Sequence, residues 1–247
     1  ARILAQGASI PREKIMATKL KDGMSAELET DLDELAAACR ILEMEDQGDR
    51  VWGHMALRDP DGRGFWMKRA GVALGEIYGA RDFVLLDFDG KQIGGEGKSH
   101  SEWPIHSEIL KKRPDVIATS HTHPFYASVF SASGEQLQTA VARSGIQPHL
   151  PPRFEDTSEL IRLPEQGRAM TEVLGDGTAV LLRNHGVVTC GRSIPEPVLV
   201  AIALDKMCHE MLVINGSGLK WAWPGEEEMA AKRAGGKKII DRPSAWA

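Results

Sequence analysis

Two histidines one residue apart, His121 and His123, carry the first chemical signal in this chain. They follow directly on a run, 116–120, that reads as a strand, and residues i and i+2 of a strand point to the same side. Both imidazoles can therefore converge on one ion, and Pro124 fixes the exit. His185 sits in a second strand-end turn, Asn184-His185-Gly186, where the glycine lets the backbone turn sharply behind the ring. Three histidines with an open fourth position is the pattern of a catalytic metal site. Such a site needs a carboxylate as ligand or proton carrier. Glu102, after a Gly-rich loop and at the start of a helix, is the best placed, with His106 one turn on along the same face. Taken singly, each has a plain alternative. A His-x-His pair can be ordinary packing, Glu102 and His106 a solvated helix face, and His185 a turn residue.

The elements that must position these groups are readable from periodicity and breakers. A helix is expected over 31–47, with Thr30 and Asp33 as a capping box and Gly48 as its stop. Strands are expected over 50–58 and 64–69, joined by the turn Asp59-Pro60-Asp61-Gly62, and over 82–88. Residues 94–99 are glycine-rich and read as a loop. A second helix runs over 101–112, with Pro104 in its first turn, where the missing N–H does no harm. A helix is expected from 126 to 131 and a long loop over 144–157. A mostly helical stretch covers 159–174, strands cover 179–183 and 187–190, and a long helix covers 194–214. Residues 1–28 read as an arm, 29–215 as the domain and 216–247 as a tail that docks on a neighbouring subunit. Mixed helices and hairpins favour a layered α/β domain with a mostly antiparallel or mixed sheet. No Gly-x-Gly-x-x-Gly follows a strand, so a dinucleotide fold has no support.

Composition narrows the function classes. The 247 residues carry 30 basic and 35 acidic side chains, a net charge of −5, which argues against a dedicated nucleic-acid binder. No apolar run approaches the roughly 20 residues that span a bilayer. Three cysteines do not make a disulfide framework. With no secretory-signal pattern in the opening residues, a reducing cytoplasm is the expected compartment.

The motifs then carry a resemblance. Glu102-Trp-Pro-Ile-His106-Ser-Glu-Ile-Leu, Arg113-Pro-Asp-Val and His121-Thr-His123-Pro-Phe-Tyr126-Ala, in that order, resemble the central signature of the class II aldolase/adducin superfamily. Leu-Arg-Asn184-His185-Gly186-Val-Val resembles its second signature, and the likeness extends over about 31–215. The resemblance implies a single-domain, three-layer α/β/α fold around a mostly antiparallel sheet. It also implies a homotetramer with active sites at subunit interfaces. It makes His121, His123 and His185 the metal ligands and Glu102 both the catalytic acid/base and a fourth ligand in the resting site. With that set intact, a non-catalytic, adducin-like interaction module is disfavoured.

One stretch departs from the sugar-phosphate branch. Where the aldolases carry Gly-Asn-x-Ser-x-Arg for a substrate phosphate, this chain reads Gly53-His54-Met55-Ala56-Leu57-Arg58, and Ser99-His100-Ser101 precedes Glu102. A Gly-His at this place resembles the branch of hydroxypyridine and dihydroxyphthalate carboxylate decarboxylases. The expectation is a divalent-metal-dependent carbon–carbon lyase that decarboxylates a hydroxylated aromatic or heteroaromatic acid. The alternative is an aldolase acting on a hydroxy-carbonyl or sugar-phosphate substrate. Zn²⁺ or Mn²⁺ is the expected ion, with Fe²⁺ or Co²⁺ possible for the same donors. The substrate is a small anion. His54, Arg69 and His100 are candidates for holding a second carboxylate, with Lys68 read as an ordinary buried or solvated charge. Trp103 and Phe125 are candidates for walling an aromatic ring, Tyr126 follows the ligand pair, and His149 could reach a neighbouring site. Glu102 would supply the proton that replaces CO₂, a role that calls for a carboxyl whose pKa burial has raised.

Overall fold

The computed structural model describes residues 24–138, 150–225 and 227–231. His149, nearly all of the expected arm and most of the expected tail lie outside the described residues.

Eight strands form one sheet: β1 (His54–Arg58), β2 (Phe65–Lys68), β3 (Phe83–Leu86), β4 (Gln92–Gly95), β5 (Ala118–Thr122), β6 (Arg153–Phe154), β7 (Ala179–Leu182) and β8 (Gly186–Gly191). Their spatial order is β4-β3-β2-β1-β5-β8-β7-β6. Neighbours are antiparallel except β6 and β7, which run parallel. Among the described residues these helices cover it: α1 (Ala26–Met44), α2 (Trp103–Lys112), α3 (Phe125–Ser131), α4 (Pro164–Leu174) and α5 (Pro195–Gly216).

Side chains alternate across each strand, and the two faces bury different helices. Met55, Leu57, Phe83 and Leu85 pack with Leu32, Leu35, Cys39 and Leu42 of α1 and with Val198 and Ala201 of α5. Ala56, Phe65, Met67 and Val84 face the other way, onto Ile105 and Ile109 of α2 and Met170 and Leu174 of α4. Ala127 and Phe130 of α3 pack with Leu204 and Met207 of α5 over β7 and β8. This is the expected three-layer α/β/α domain with a mostly antiparallel sheet. Among the described residues no helix is long and apolar enough to cross a membrane, and the three cysteines are free and buried.

Several boundaries differ from the sequence reading. Helix α1 starts at Ala26, because the Ser25 hydroxyl accepts from the Leu28 amide at 3.1 Å. Thr30 is already helical and donates its hydroxyl to the Ala26 carbonyl, so the boundary expected after residue 28 falls inside this helix. Part of the glycine-rich loop is strand β4, paired with β3. The long loop contains β6, which accepts from the Arg183 amide through the Phe154 carbonyl. Helix α4 begins only at Pro164, so residues 159–163 of the expected helical stretch lie before it.

Candidate metal centre and active-site cleft

The antiparallel pairing of β5 with β1 and β8 sets the site. His54 stands opposite His121 across one ladder and Val188 opposite it across the other. The His121 ring is buried, and its Nδ1–H donates to the Val187 carbonyl at 3.0 Å. A donor bond at Nδ1 leaves the Nε2 lone pair for a metal. His123 follows at the strand end, where the Gln47 carbonyl, just past α1, accepts its amide at 3.2 Å. His185 sits in the β7–β8 turn beside Asn184, whose φ is +57°. Gly186 is required there: a Cβ would overlap the Thr122 carbonyl oxygen and stand 2.8 Å from His123 Cδ2.

The four expected groups meet. Donor atoms of Glu102, His121, His123 and His185 all lie within 4.8 Å of one another. The Nε2 atoms of His123 and His121 are 3.1 Å apart, and His121 Nε2 is 3.6 Å from Glu102 Oε2. His185 Nε2 lies 3.8 Å from Glu102 Oε1. It is buried and has no hydrogen-bond partner among the described residues. Burial, with the other imidazoles nearby, lowers His123 to about 3 and His185 to about 4. Three converging imidazoles, one with an orphaned ring nitrogen, and a carboxylate are the donor set a divalent cation needs.

Glu102 caps α2 and is 7% exposed. Burial pushes its carboxyl up, but His121, His185 and the Ile161 amide together outweigh burial and hold it at about 2. This corrects the expectation of a raised acid: Glu102 is held ionised. The Ile161 amide donates to its Oε1 at 3.0 Å. Ile161 lies in the segment expected to be helix. Its backbone role carries no residue-type signature that the sequence could have shown.

A cleft of about 1160 Å³ opens over these groups. His100 and Phe125 line it, Phe125 being 71% exposed. The other candidates lie elsewhere. His54 is buried behind the cluster, with its Nδ1 2.7 Å from His106 Nε2. The Arg69 guanidinium pairs with Asp82 at 3.1 Å, outside this cleft. Trp103 packs over Gly90 and joins the α2 core. Tyr126 stacks on His209, ring centroids 3.7 Å apart. Lys68 is fully buried, and Val51, Val72 and Arg69 carbonyls accept from its ammonium. Arg162, Trp52, Val129 and Leu160 line the cleft and were not anticipated. An exposed arginine in an irregular segment has no pattern to mark it.

Comparison with known proteins follows this geometry. Residues 33–212 match the family described as Class II Aldolase and Adducin N-terminal domain. The Meiotically up-regulated gene 14 protein of Schizosaccharomyces pombe is 31% identical over 189 residues, 75% of this chain and 73% of that protein. The 3,4-dihydroxyphthalate decarboxylase of Arthrobacter keyseri is 29% identical over 203 residues, 74% of this chain and 78% of that enzyme. Among solved structures, an aldolase II superfamily protein from Pseudomonas syringae superimposes with a TM-score of 0.79 at 25% identity, covering 91% of each chain.

Proposed function

The chain belongs to the class II aldolase and adducin family and is a lyase of that family, and from this premise we propose that it decarboxylates a hydroxylated aromatic or heteroaromatic (di)carboxylate. The observation that carries the reading is the convergence of the Glu102 carboxylate with the His121, His123 and His185 ring nitrogens within 4.8 Å of one another, under a cleft bordered by Phe125.

His121, His123 and His185 would hold a divalent ion, Zn²⁺ or Mn²⁺ foremost, with Glu102 as fourth donor. When bound, the ion supplies Lewis-acid stabilisation of negative charge growing on the substrate oxygen beside the leaving carboxylate. The protein's own groups do the rest. Glu102 enters ionised and takes the proton of the substrate hydroxyl. The ring–carboxylate bond breaks, CO₂ leaves, and its bonding pair stays on the ring. Glu102 then returns the proton to that ring carbon, and the product departs as a phenolate that water protonates. Charge and atoms balance, and Glu102 has no need to be protonated at the start. The Ile161 amide holds Oε1, leaving Oε2 for the proton.

Phe125 and His100 would border the ring, and Arg162, the arginine among the cleft residues, would meet a carboxylate. The reading includes a homotetramer with interfacial sites. Exposed apolar side chains at the cleft, Phe125, Trp52 and Val129, support a neighbouring copy there.

The test offers metal-loaded protein two substrate sets: ortho-hydroxy aromatic and pyridine carboxylates, and hydroxy-carbonyl phosphates. CO₂ from the first set alone supports decarboxylation. Aldehyde from the second set alone would replace it with aldol cleavage.

A further inference from the structure

Residues 161–163, just ahead of α4, form a short strap beside the cleft, and Arg162 lines the cleft together with the preceding Leu160. The strap is tied on two sides. On one, the Ile161 amide donates to Glu102 Oε1 at 3.0 Å. On the other, Gln166 Oε1 accepts from the amides of Arg162 and Leu163, at 3.0 Å each. A carboxamide oxygen has two lone pairs, so one side chain can hold both. Gln166 is itself fixed in the first turn of α4, where its amide donates to the Leu163 carbonyl at 3.0 Å. Helix α4 in turn seats closely on α2, the helix that Glu102 caps. A Cβ on Gly167 would stand 2.6 Å from the Pro104 carbonyl oxygen and 3.1 Å from Glu108 Cγ. Glu102, Gln166 and the strap therefore share one base.

These bonds occupy the backbone donors of the strap. The amides of Ile161, Arg162 and Leu163 all have side-chain acceptors, and Pro164 has no N–H. What the strap can offer the cleft as a donor is the Arg162 guanidinium. That side chain is exposed, and among the described residues no carboxylate pairs with it, whereas Asp82 takes Arg69. Of the described Asp, Glu, Lys and Arg side chains that line the cleft, Asp46, Asp49 and Glu102 are acidic and Arg162 is basic. An anionic group clear of the metal centre is repelled by the two aspartates. It finds one full positive charge, in a planar fork that meets a carboxylate at two points.

We propose that Gln166 is a positioning residue that sets Arg162 to read a second carboxylate, one that the reaction leaves on the ring. The same side chain steadies the amide that holds Glu102, because Ile161 and Arg162 are adjacent. Arg162 is then specificity-determining, and the preferred substrate is a dicarboxylate. One carboxylate lies at the metal centre and is lost, and the other rests on Arg162. A substrate with a single carboxylate leaves the guanidinium unused. This deepens the decarboxylase reading and rests on it for the reaction. The recognition stands apart from it, since a dicarboxylate that is never cleaved binds through the same two points.

The test is calorimetric binding of benzoate and of the three benzenedicarboxylates (phthalate, isophthalate and terephthalate) to zinc-loaded protein, which needs no turnover. The best-bound dicarboxylate should bind about 10- to 100-fold tighter than benzoate, the worth of one charge-assisted contact. Arg162→Gln should erase that preference and leave benzoate binding and zinc content unchanged. Gln166→Met, of similar size without the acceptor, should lower dicarboxylate affinity about tenfold, again with benzoate and zinc unchanged. Gln166→Glu, which keeps an acceptor there, should restore it. Equal binding of benzoate and all three dicarboxylates, or a preference that survives Arg162→Gln, overturns the role of Arg162 whether or not CO₂ is released. Full dicarboxylate affinity in Gln166→Met, a loss shared with benzoate, or a loss that Gln166→Glu does not restore overturns the positioning role. A preference that depends on Arg162, in a protein that releases no CO₂ from hydroxylated acids, overturns the decarboxylase reading and leaves the recognition standing.

Discussion

The Ile161 amide, in the irregular segment before α4, donates to Glu102 Oε1 at 3.0 Å. A charge-assisted bond of this kind is worth about 1.5–3 kcal/mol, and in the proposed reaction it leaves Oε2 for the proton. Replacing Ile161 with Pro removes the N–H. Turnover should fall about 10- to 100-fold, as that energy converts, while bound metal per chain is unchanged by elemental analysis. Loss of metal together with turnover would show that this segment holds the ligands and not the proton carrier.

The metal cluster makes a separate prediction. His185→Ala and His121→Ala should each abolish tight divalent-ion binding in equilibrium dialysis, because a three-histidine site loses its geometry with one member. In the unsubstituted protein, ion at 100 times its dissociation constant should add about 2.7 kcal/mol to stability. The increment should vanish in both variants. An ion-dependent rise in Tm that survives His121→Ala would move the site elsewhere.

Gly186 tests the packing behind that cluster. Its missing Cβ lets the β7–β8 turn lie against the Thr122 carbonyl and His123. Gly186→Ala should cost about 1–3 kcal/mol by overpacking and weaken ion binding by displacing His123 or His185. Denaturant unfolding with and without metal checks both. A variant as stable as the parent would mean the turn relaxes freely.

Lys68 gives a pH signature. Burial pushes its ammonium down from 10.5 to about 8. Between those values the unfolded chain binds more protons than the folded one, so stability from this group rises with pH across about 8 to 10.5. Below pH 8 the buried charge is a cost offset by the carbonyls of Val51, Arg69 and Val72. The stability difference between the parent and Lys68→Met should therefore shift in the parent's favour as pH rises through this window. A difference flat from pH 7 to 10.5 would contradict it.

What could be read in the sequence was whatever periodicity and residue type carry. His121 and His123 declared themselves by a spacing of two on an apolar strand, and Gly186 by the turn His185 needs. The layered fold followed from helices mixed with hairpin signals, such as the turn Asp59-Pro60-Asp61-Gly62, and from the helical stripe of α1. What escaped was set by backbone and by distance. Ser25 won the cap of α1 over Thr30 because its hydroxyl reaches the Leu28 amide. Two-residue β6 is a strand only through pairing with β7. Ile161 acts through its amide, which every residue but proline has. Arg69 and Arg162 look alike in sequence, but Asp82 takes the first and the cleft has the second. Glu102 shows how burial alone misleads. Its neighbours reverse the shift that burial would cause.

The most direct measurement is CO₂ release from ortho-hydroxy aromatic and pyridine carboxylates by metal-loaded protein, beside the same protein stripped by chelator and the loaded Glu102→Gln variant. Release by the loaded protein should vanish with chelator and fall about 10²- to 10⁴-fold in Glu102→Gln, the usual worth of a positioned proton carrier. Release that continues at full rate in Glu102→Gln, or without the ion, would contradict the account.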